Sequence, residues 1–500
     1  MIKIYNSLTG KKEEFKPIRD GEVKMYVCGP TVYDVSHIGH LRAAFVFDVI
    51  RRYMEYKGFK VTFARNITDI DDKIINRARQ ELGGGTGELS QKVKEVAHKY
   101  TLLYEEDMEA FGIKKPDIQP KATEHISDMI SMIRTLIDKG VAYESAGDVY
   151  FSVRKFPEYG RLSHQSIDQM MEGVRKAAEG EKKDPLDFAL WKKAKEGEPF
   201  WPSPWGNGRP GWHIECSVMS TNYLGATFDI HGGGRDLIFP HHENEIAQAE
   251  AATGKPFARC WIHNGLLTVE KEKMAKSLGN FVTVKDILDK YHPDVLKIFF
   301  LQAHYSSSVD FSWEKMEEAK KAYERFSIFF YRANELIERY GDKEEGEEAS
   351  AWRAVIELTH AQGFIGAMDD DFNTAGALAR LFEIVSAGNC IIDDQKLNEA
   401  EKRALLELAC ERIRKFGNVL ALFENEEPKP GKEMVKALME SLGYDGQQDF
   451  TGFIEALIEK RILLRKAKEF KKADNIRNKL LEAGVILEDK KDGTTGWRLK

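Results

Sequence analysis

Five hundred residues exceed what one hydrophobic core supports, so three or four domains are expected. A charged share of 31% and a hydrophobic share of 42% describe a soluble globular protein, and no apolar run approaches the roughly 18 residues of a membrane span. The net charge of −7 advertises no nucleic-acid binder, and five scattered cysteines argue against a disulfide framework. The opening MIKIYNSLTGKKEEF lacks the apolar core of a signal peptide, so a cytoplasmic location and no membrane partner are expected.

Residues 22–28, EVKMYVC, have the β-branched and apolar content of a strand. After them a helix sets Leu41, Phe45, Val49 and Tyr53 on one face, and KVTFARNI reads as a second strand. This βαβ pattern predicts a parallel sheet, with a first half at residues 1–112. Residues 113–200 read as an insertion, with a helix ending at Gly140 and a hairpin turning at Ala146 and Gly147. Strands return over 201–285 in GATFDIHGGGRDL and ARCWIHNGLLTV, and residues 286–424 are nearly all helical. The stretch 425–434, rich in Pro, Gly and charge, reads as a linker. Residues 435–500 form a last small domain: a basic helix, a strand VILED, a turn and a final WRLK. From Thr451 to Lys500 there are 13 Lys/Arg against 8 Asp/Glu, a local +5, which leaves −12 for the other 450 residues. That imbalance fits either a solvated helix face or a basic module on an acidic body.

Three groups of residues suggest chemistry. His37 and His40 flank Gly39 where a helix emerges from a strand. Such an N-terminus suits a phosphate, a glycine admits close approach, and imidazoles add donors to phosphoryl oxygens. Lys273 and Lys276, in KEKMAKSLGN, could clamp a polyphosphate as mobile point charges. Ordinary surface histidines and a solvated basic loop are the plainer readings. In the third group, Pro240 is a good first residue for a helix, which puts His241 and Glu245 on one face. His242 has Ile246 at the same offset and is the poorer candidate. Cys28 and Cys216 would complete a set whose chemistry favours zinc, against the alternative of two ordinary buried thiols.

Taken together, SHIGHL and KMAKS resemble the two signatures of class I aminoacyl-tRNA synthetases. YVCGPTVYD, RNITDIDDKI, DPLDFALWK, SPWGNGRPGWHIECS, FDIHGGGRDLIFPHHENEIAQ, MDDDFNTAGAL and the ending ADNIRNKLLEAGVILED with GTTGWR resemble cysteinyl-tRNA synthetases, from the first ten residues to the last ten. The resemblance implies an α/β fold: a Rossmann-type parallel-sheet catalytic domain with an inserted connective domain, then a helical bundle and a small C-terminal anticodon-binding domain. It implies catalytic roles for His37, His40, Lys273 and Lys276, and ATP binding by Gly39, Gly232, Asp236 and Lys276. Thr68, Trp212, Asp229 and His231 match positions lining the cysteine pocket, and Cys28, Cys216, His241 and Glu245 match the ligands of one zinc ion per chain. The loop departs from the family's usual Lys-Met-Ser-Lys-Ser at Ala275, which removes one hydroxyl.

The reaction implied joins L-cysteine to tRNA(Cys) through a cysteinyl-adenylate, with magnesium accompanying ATP. The zinc selects the thiolate, and a monomer is expected to hold both the acceptor end and the anticodon. Arg461, Arg465, Lys466 and Lys468 on the basic helix, with Trp497 and Arg498, are the tRNA-binding candidates. A core role for Trp497 is equally open. The rival reading is a cysteine-adenylating amide ligase of low-molecular-weight thiol biosynthesis, which lacks an anticodon-binding end. A non-catalytic tRNA-binding paralogue or a purely structural zinc protein would be expected to show damaged signatures.

Overall fold

The computed structural model describes residues 1–83, 89–173, 182–274, 279–340, 349–424, 450–467, 469–482, 485–489 and 495–499. The chain divides into two units. One comprises Met1–Lys320, Glu357–Glu383 and Arg412–Glu424, and the other Lys321–Ile356, Ile384–Glu411 and Asn425–Lys500.

The first unit is built on a parallel sheet. Strands β1 (Glu22–Val27), β2 (Lys60–Arg65), β3 (Phe228–Gly234) and β4 (Ala258–Asn264) lie in the order β4-β3-β1-β2. Every neighbouring pair is parallel. Burial is almost continuous along β3, as expected for a sheet covered on both faces. Helix α1 (Ile38–Tyr56) joins β1 to β2, and the stripe Leu41, Phe45, Val49 and Tyr53 is buried as the periodicity predicts. The burial goes further, taking in Phe47, Ile50, Met54 and the charged Asp48 and Arg52. Phe45 packs on Phe111 and Phe300 at 5.9 Å, so α1 is covered on its outer side as well. Arg52 offsets its burial by pairing with Asp48 at 2.7 Å.

After β2 the chain leaves the sheet, and it returns on the opposite side of β1 through α2 (Trp212–Leu224) into β3. Helix α3 (Glu243–Thr253) then leads to β4. The sheet order therefore reverses between β1 and β3. In parallel sheets such a reversal opens a crevice beyond the strands' carboxyl ends.

The segment between β2 and β3 carries helices Asp72–Glu81, Leu89–Ala110 and Ile126–Asp138 and a four-stranded antiparallel sheet. The predicted hairpin turns at Ala146 and Gly147, both at positive φ (53° and 93°). Its third strand, Phe188–Lys193, is one the sequence pattern does not announce.

In the second unit the predicted single basic helix is two, Phe450–Lys466 and Phe470–Glu482, followed by the antiparallel hairpin Val485–Asp489 and Thr495–Leu499. Ile454, Leu457, Ile458, Ile476, Leu480, Val485 and Leu487 form a small core of their own, with Trp497 packed against it. The predicted linker at 425–434 lies outside the described residues. Among the described helices, Thr374–Asp393 alone is long and apolar enough to cross a membrane, contrary to the expectation that no stretch would be. It carries an Arg380–Glu383 ion pair at 2.7 Å and buries Ala377, Leu381 and Ile384.

Candidate active site

At the point where the sheet order reverses lies a cavity of about 340 Å³. Its walls bring together six residues singled out in the sequence: Cys28, His37, Gly39, His40, Trp212 and Asp236. Arg42, Arg65, Lys73, Asn264 and Met274 are among the other lining residues, and the sequence motifs do not single them out. Three cations against the single carboxylate of Asp236 give the lining a positive potential suited to a polyphosphate. Arg42 and Arg65 could have been suspected, because each interrupts an apolar run and is therefore a buried charge.

The two histidines form the N-terminus of α1. Nδ1 of His37 accepts the Gly39 N–H at 3.0 Å, and Nδ1 of His40 accepts the His37 N–H at 3.5 Å, a reciprocal cap made of imidazoles. The rings stack at 3.8 Å. Burial lowers the His37 pKa to about 4 and, aided by His37 and Lys73, that of His40 to about 3. Both are therefore neutral at pH 7, and a neutral ring whose Nδ1 accepts carries its proton on Nε2. Each thus retains one N–H donor for a ligand. A Cβ on Gly39 would sit 2.8 Å from the His37 ring, so this glycine is what lets His37 fold back as the cap.

Beside the cavity the ligand atoms of Cys28, Cys216, His241 and Glu245 lie within 4.8 Å of one another. The sulfurs are 3.6 Å apart, Cys28 Sγ is 3.4 Å from Glu245 Oε1, and His241 Nε2 is 3.0 Å from the same oxygen. A tetrahedral zinc site has ligand atoms about 3.3–3.8 Å apart, and two thiols, an imidazole and a carboxylate are a suitable donor set, so these residues fit the ion. Cys28 donates to Cys216, whose thiol falls to about 7 for that reason first, while burial pushes the Cys28 thiol up. Burial works against a charged His241, yet Glu245 and Cys216 raise it to about 10. A metal binding here must therefore displace a proton.

A second set, Cys28, His231, His242 and Glu245, satisfies the same distance test. Only the first set contributes two thiols. The other two histidines orient its members: His231 Nε2 lies 2.8 Å from Glu245 Oε2, and His242 Nε2 lies 3.3 Å from Cys28 Sγ. His242 is in turn met by His263 at 2.9 Å, and His241 by His213 at 2.8 Å. Trp212 stacks on His241 at 4.1 Å, linking the cavity wall to the cluster.

Several predicted site residues stand elsewhere. Asp229 is not brought to the cavity: its carboxylate accepts N–H groups from Ile18 at 2.6 Å and Lys24 at 2.8 Å and lines a separate cavity of about 290 Å³. It sits near the start of β3, five residues before the strand's end at Gly234 and so about 16 Å along it. Gly232 does not wall the cavity either. A Cβ there would meet the Phe47 ring at 2.2 Å, so its role in the structure is to admit α1 against the sheet. Thr68 is buried behind the wall, donating to Glu215 Oε2 at 2.9 Å, and His231 is wholly buried. Lys273 pairs with Thr268 in a short hairpin, its side chain lying outside the described residues, as do Ala275 and Lys276 altogether.

In the second unit Arg461 is buried, with its Nη1 3.5 Å from Thr495 Oγ1, so it is not the surface phosphate contact that was expected. The spacing explains it: Ile454, Leu457, Ile458 and Arg461 share the core-facing side of their helix. Arg465 and Lys466 are accessible, Trp497 is half-buried, and Lys468 and the Arg498 side chain lie outside the described residues.

A switch-point cavity walled by a histidine-capped helix, on a sheet carrying a large insertion, accords with the class I tRNA synthetases, the class to which the family match assigns the chain. Residues 14–321 match the family described as tRNA synthetases class I (C) catalytic domain, and residues 363–424 match the DALR domain. A methionyl-tRNA synthetase of Mycobacterium tuberculosis, solved with methionyl-adenylate, shares the fold with a TM-score of 0.63 at 14% identity, covering 87% of this chain and 96% of its own. Within that class the chain belongs to the cysteine--tRNA ligase family. It is 51% identical over 499 residues to the cysteine--tRNA ligase of Sulfurihydrogenibium sp. (strain YO3AOP1), covering 99% of each chain. It is also 51% identical over 506 residues to that of Persephonella marina, covering all of both.

Proposed function

We propose that the chain ligates L-cysteine to tRNA(Cys) in two steps, acting as a cytoplasmic monomer. The cysteine carboxylate attacks the α-phosphorus of ATP, forming cysteinyl-adenylate and releasing pyrophosphate. A hydroxyl of the terminal tRNA adenosine then takes the cysteinyl group, releasing AMP. One observation carries the reading: Cys28 belongs at once to the four-residue metal cluster and to the wall of the cavity that His37 and His40 line. That shared residue supports a reading in which a thiol-selecting group works beside a phosphate site.

The attacking carboxylate is already ionised, so the protein needs no nucleophile and works by positioning and charge stabilisation. His37 and His40 offer N–H donors, and the amino end of α1 its dipole, to charge growing on the phosphoryl oxygens. Arg42, Arg65 and Lys73 attract the polyphosphate, accompanied by magnesium, and Lys273 and Lys276 follow the departing pyrophosphate. Asp236 takes the ribose. Zinc held by Cys28, Cys216, His241 and Glu245 would supply a soft Lewis acid that favours a thiolate over the alcohol of serine. His231 and His242 keep Glu245 and Cys28 oriented for it. The amide-ligase alternative is not favoured, since the full-length relatives are cysteine--tRNA ligases and Ile454, Ile458, Leu480, Val485 and their neighbours form a core of their own.

The test is ATP–pyrophosphate exchange with each amino acid, repeated with total tRNA. Cysteine alone should support exchange, and label should transfer to cysteine tRNA. Exchange with serine at comparable kcat/KM, or transfer to no tRNA, would overturn the reading.

A further inference from the structure

The cavity contains a polar atom that the mechanism above does not use. Asn264 ends β4 opposite Gly234 and is only 5% exposed, yet it lines the cavity. Its neighbour His263 turns toward the metal cluster through His242, so strand alternation sends Asn264 the other way. Asn264 Nδ2 donates to the Gly265 carbonyl at 3.1 Å, and no donor reaches its Oδ1 among the described residues. The amide cannot be turned over to remedy this. Turned over, the amide would set its oxygen against the Gly265 carbonyl oxygen, and two acceptors facing each other repel. A buried acceptor left without a donor is costly, and in a cavity wall it is an address for a ligand's N–H or O–H.

The surroundings narrow the donor. The Arg42 guanidinium gives its hydrogen bonds to the carbonyls of Gly265, Leu266, Tyr305 and Ser307, with no carboxylate among them. Beside this cation a neutral donor is favoured over a charged one such as an amino-acid ammonium, for which the Asp236 carboxylate elsewhere in the wall is the better partner. On a nucleotide that leaves ribose hydroxyls and the base's exocyclic amine. The adjoining wall is apolar, formed by Ala43, Leu266, Leu267 and Met274, and Leu266 stands 46% exposed there. Apolar side chains suit a flat base. We propose that Asn264 reads the nucleobase, its Oδ1 accepting a hydrogen bond from the 6-amino group of adenine and so selecting ATP over purines that lack it. The inference rests on the reading of this cavity as the ATP site.

The experiment compares cysteine-dependent pyrophosphate exchange with ATP, purine riboside triphosphate (hydrogen in place of the 6-amino group) and 2′-deoxy-ATP. The wild type and Asn264→Ala are assayed, with zinc content and a melting curve as folding controls. The wild type should prefer ATP over purine riboside triphosphate by at least about tenfold in kcat/KM. Asn264→Ala should lose that preference through a raised KM for ATP, while purine riboside triphosphate is used as before and 2′-deoxy-ATP falls in parallel with ATP. A preference that survives in Asn264→Ala overturns the proposal, as does a variant whose loss tracks the 2′-hydroxyl instead. Should Asn264→Ala fail to fold, the wild type decides: equal use of ATP and purine riboside triphosphate refutes it. A folded wild type that exchanges with none of the three overturns the ATP reading itself, a failure distinct from a lost preference.

Discussion

Gly232→Ala separates a nucleotide contact from a packing role. A Cβ at Gly232 would lie 2.2 Å from Phe47 Cε1, 2.5 Å from Cζ and 3.0 Å from Cδ1. Ordinary contacts begin near 3.4 Å, so the ring must retreat by about 1 Å, and because one whole edge is struck, rotation alone does not free it. Phe47 is wholly buried, and overpacking of this kind costs about 1–3 kcal/mol. In a unit this size that lowers Tm by a few degrees. The strain falls where α1 meets β3, so ATP KM should rise as well. The assay is thermal melting and pyrophosphate exchange on Gly232→Ala, Phe47→Leu and the double variant. If Gly232 matters by leaving room, Phe47→Leu restores part of both the melting temperature and the ATP KM that Gly232→Ala loses. An ATP KM that stays raised in the double variant while the Tm recovers would refute the reasoning and return Gly232 to the nucleotide.

The purified protein should hold about one zinc per chain by metal analysis, and Cys216→Ser should lose metal and cysteine affinity while ATP binding survives. Serine-versus-cysteine discrimination left intact after chelation would contradict the selective role given to the metal. Lys276→Ala should slow adenylation by at least about 100-fold in pre-steady-state assays with little change in cysteine affinity, and Ala275→Ser should alter the rate only modestly. A chain ending at Lys432 should keep zinc and pyrophosphate exchange but lose most tRNA charging, and full-length tRNA affinity should fall steeply with salt. Because folding lowers His37 to about 4 and His40 to about 3, the unfolded chain binds their protons at a pH where the folded one does not. The stability this represents is complete above pH 6.5 and is lost as pH falls toward 3, at up to about 1.4 kcal/mol per pH unit for each group. His40→Gln should flatten denaturant-melting stability between pH 6 and 4 by about one proton, and an unchanged slope would show that His40 is not the group responsible.

What was legible in the sequence depended on distance along the chain. The face of α1 and the hairpin at Ala146–Gly147 follow from local periodicity and turn chemistry, and both are present. The metal cluster joins Cys28 to Cys216 across 188 positions, which no local pattern encodes, so donor chemistry suggests the set and the resemblance, not spacing, singles it out. The i+4 rule passes over His242, whose partner at that offset is Ile246. His242 meets Glu245 at i+3, and its ring reaches Cys28. Asp229 and His231 share a strand face by period two, but alternation carries no information about which end of the strand holds the site. Arg461 looked like surface charge, although its spacing from Ile454 and Ile458 marked it for the core. Arg42 is marked in the sequence only as a charge inside an apolar run, and the carbonyls that hold it, like the orphan acceptor of Asn264, are products of tertiary contact.

The imidazole cap on α1 divides single side chains between two tasks. In His37 one ring nitrogen belongs to the fold, ending the helix on Gly39, and the other is the donor proposed for the ligand. Alanine at that position removes both, so a loss of rate measured there would mix a frayed helix with a missing donor. Asparagine keeps an acceptor for the helix and gives up the imidazole N–H, which makes the pair of substitutions a way to apportion the loss. The same sharing narrows what can change without harm, since a residue that improved the phosphate contact at the expense of the cap would loosen the helix that aims it.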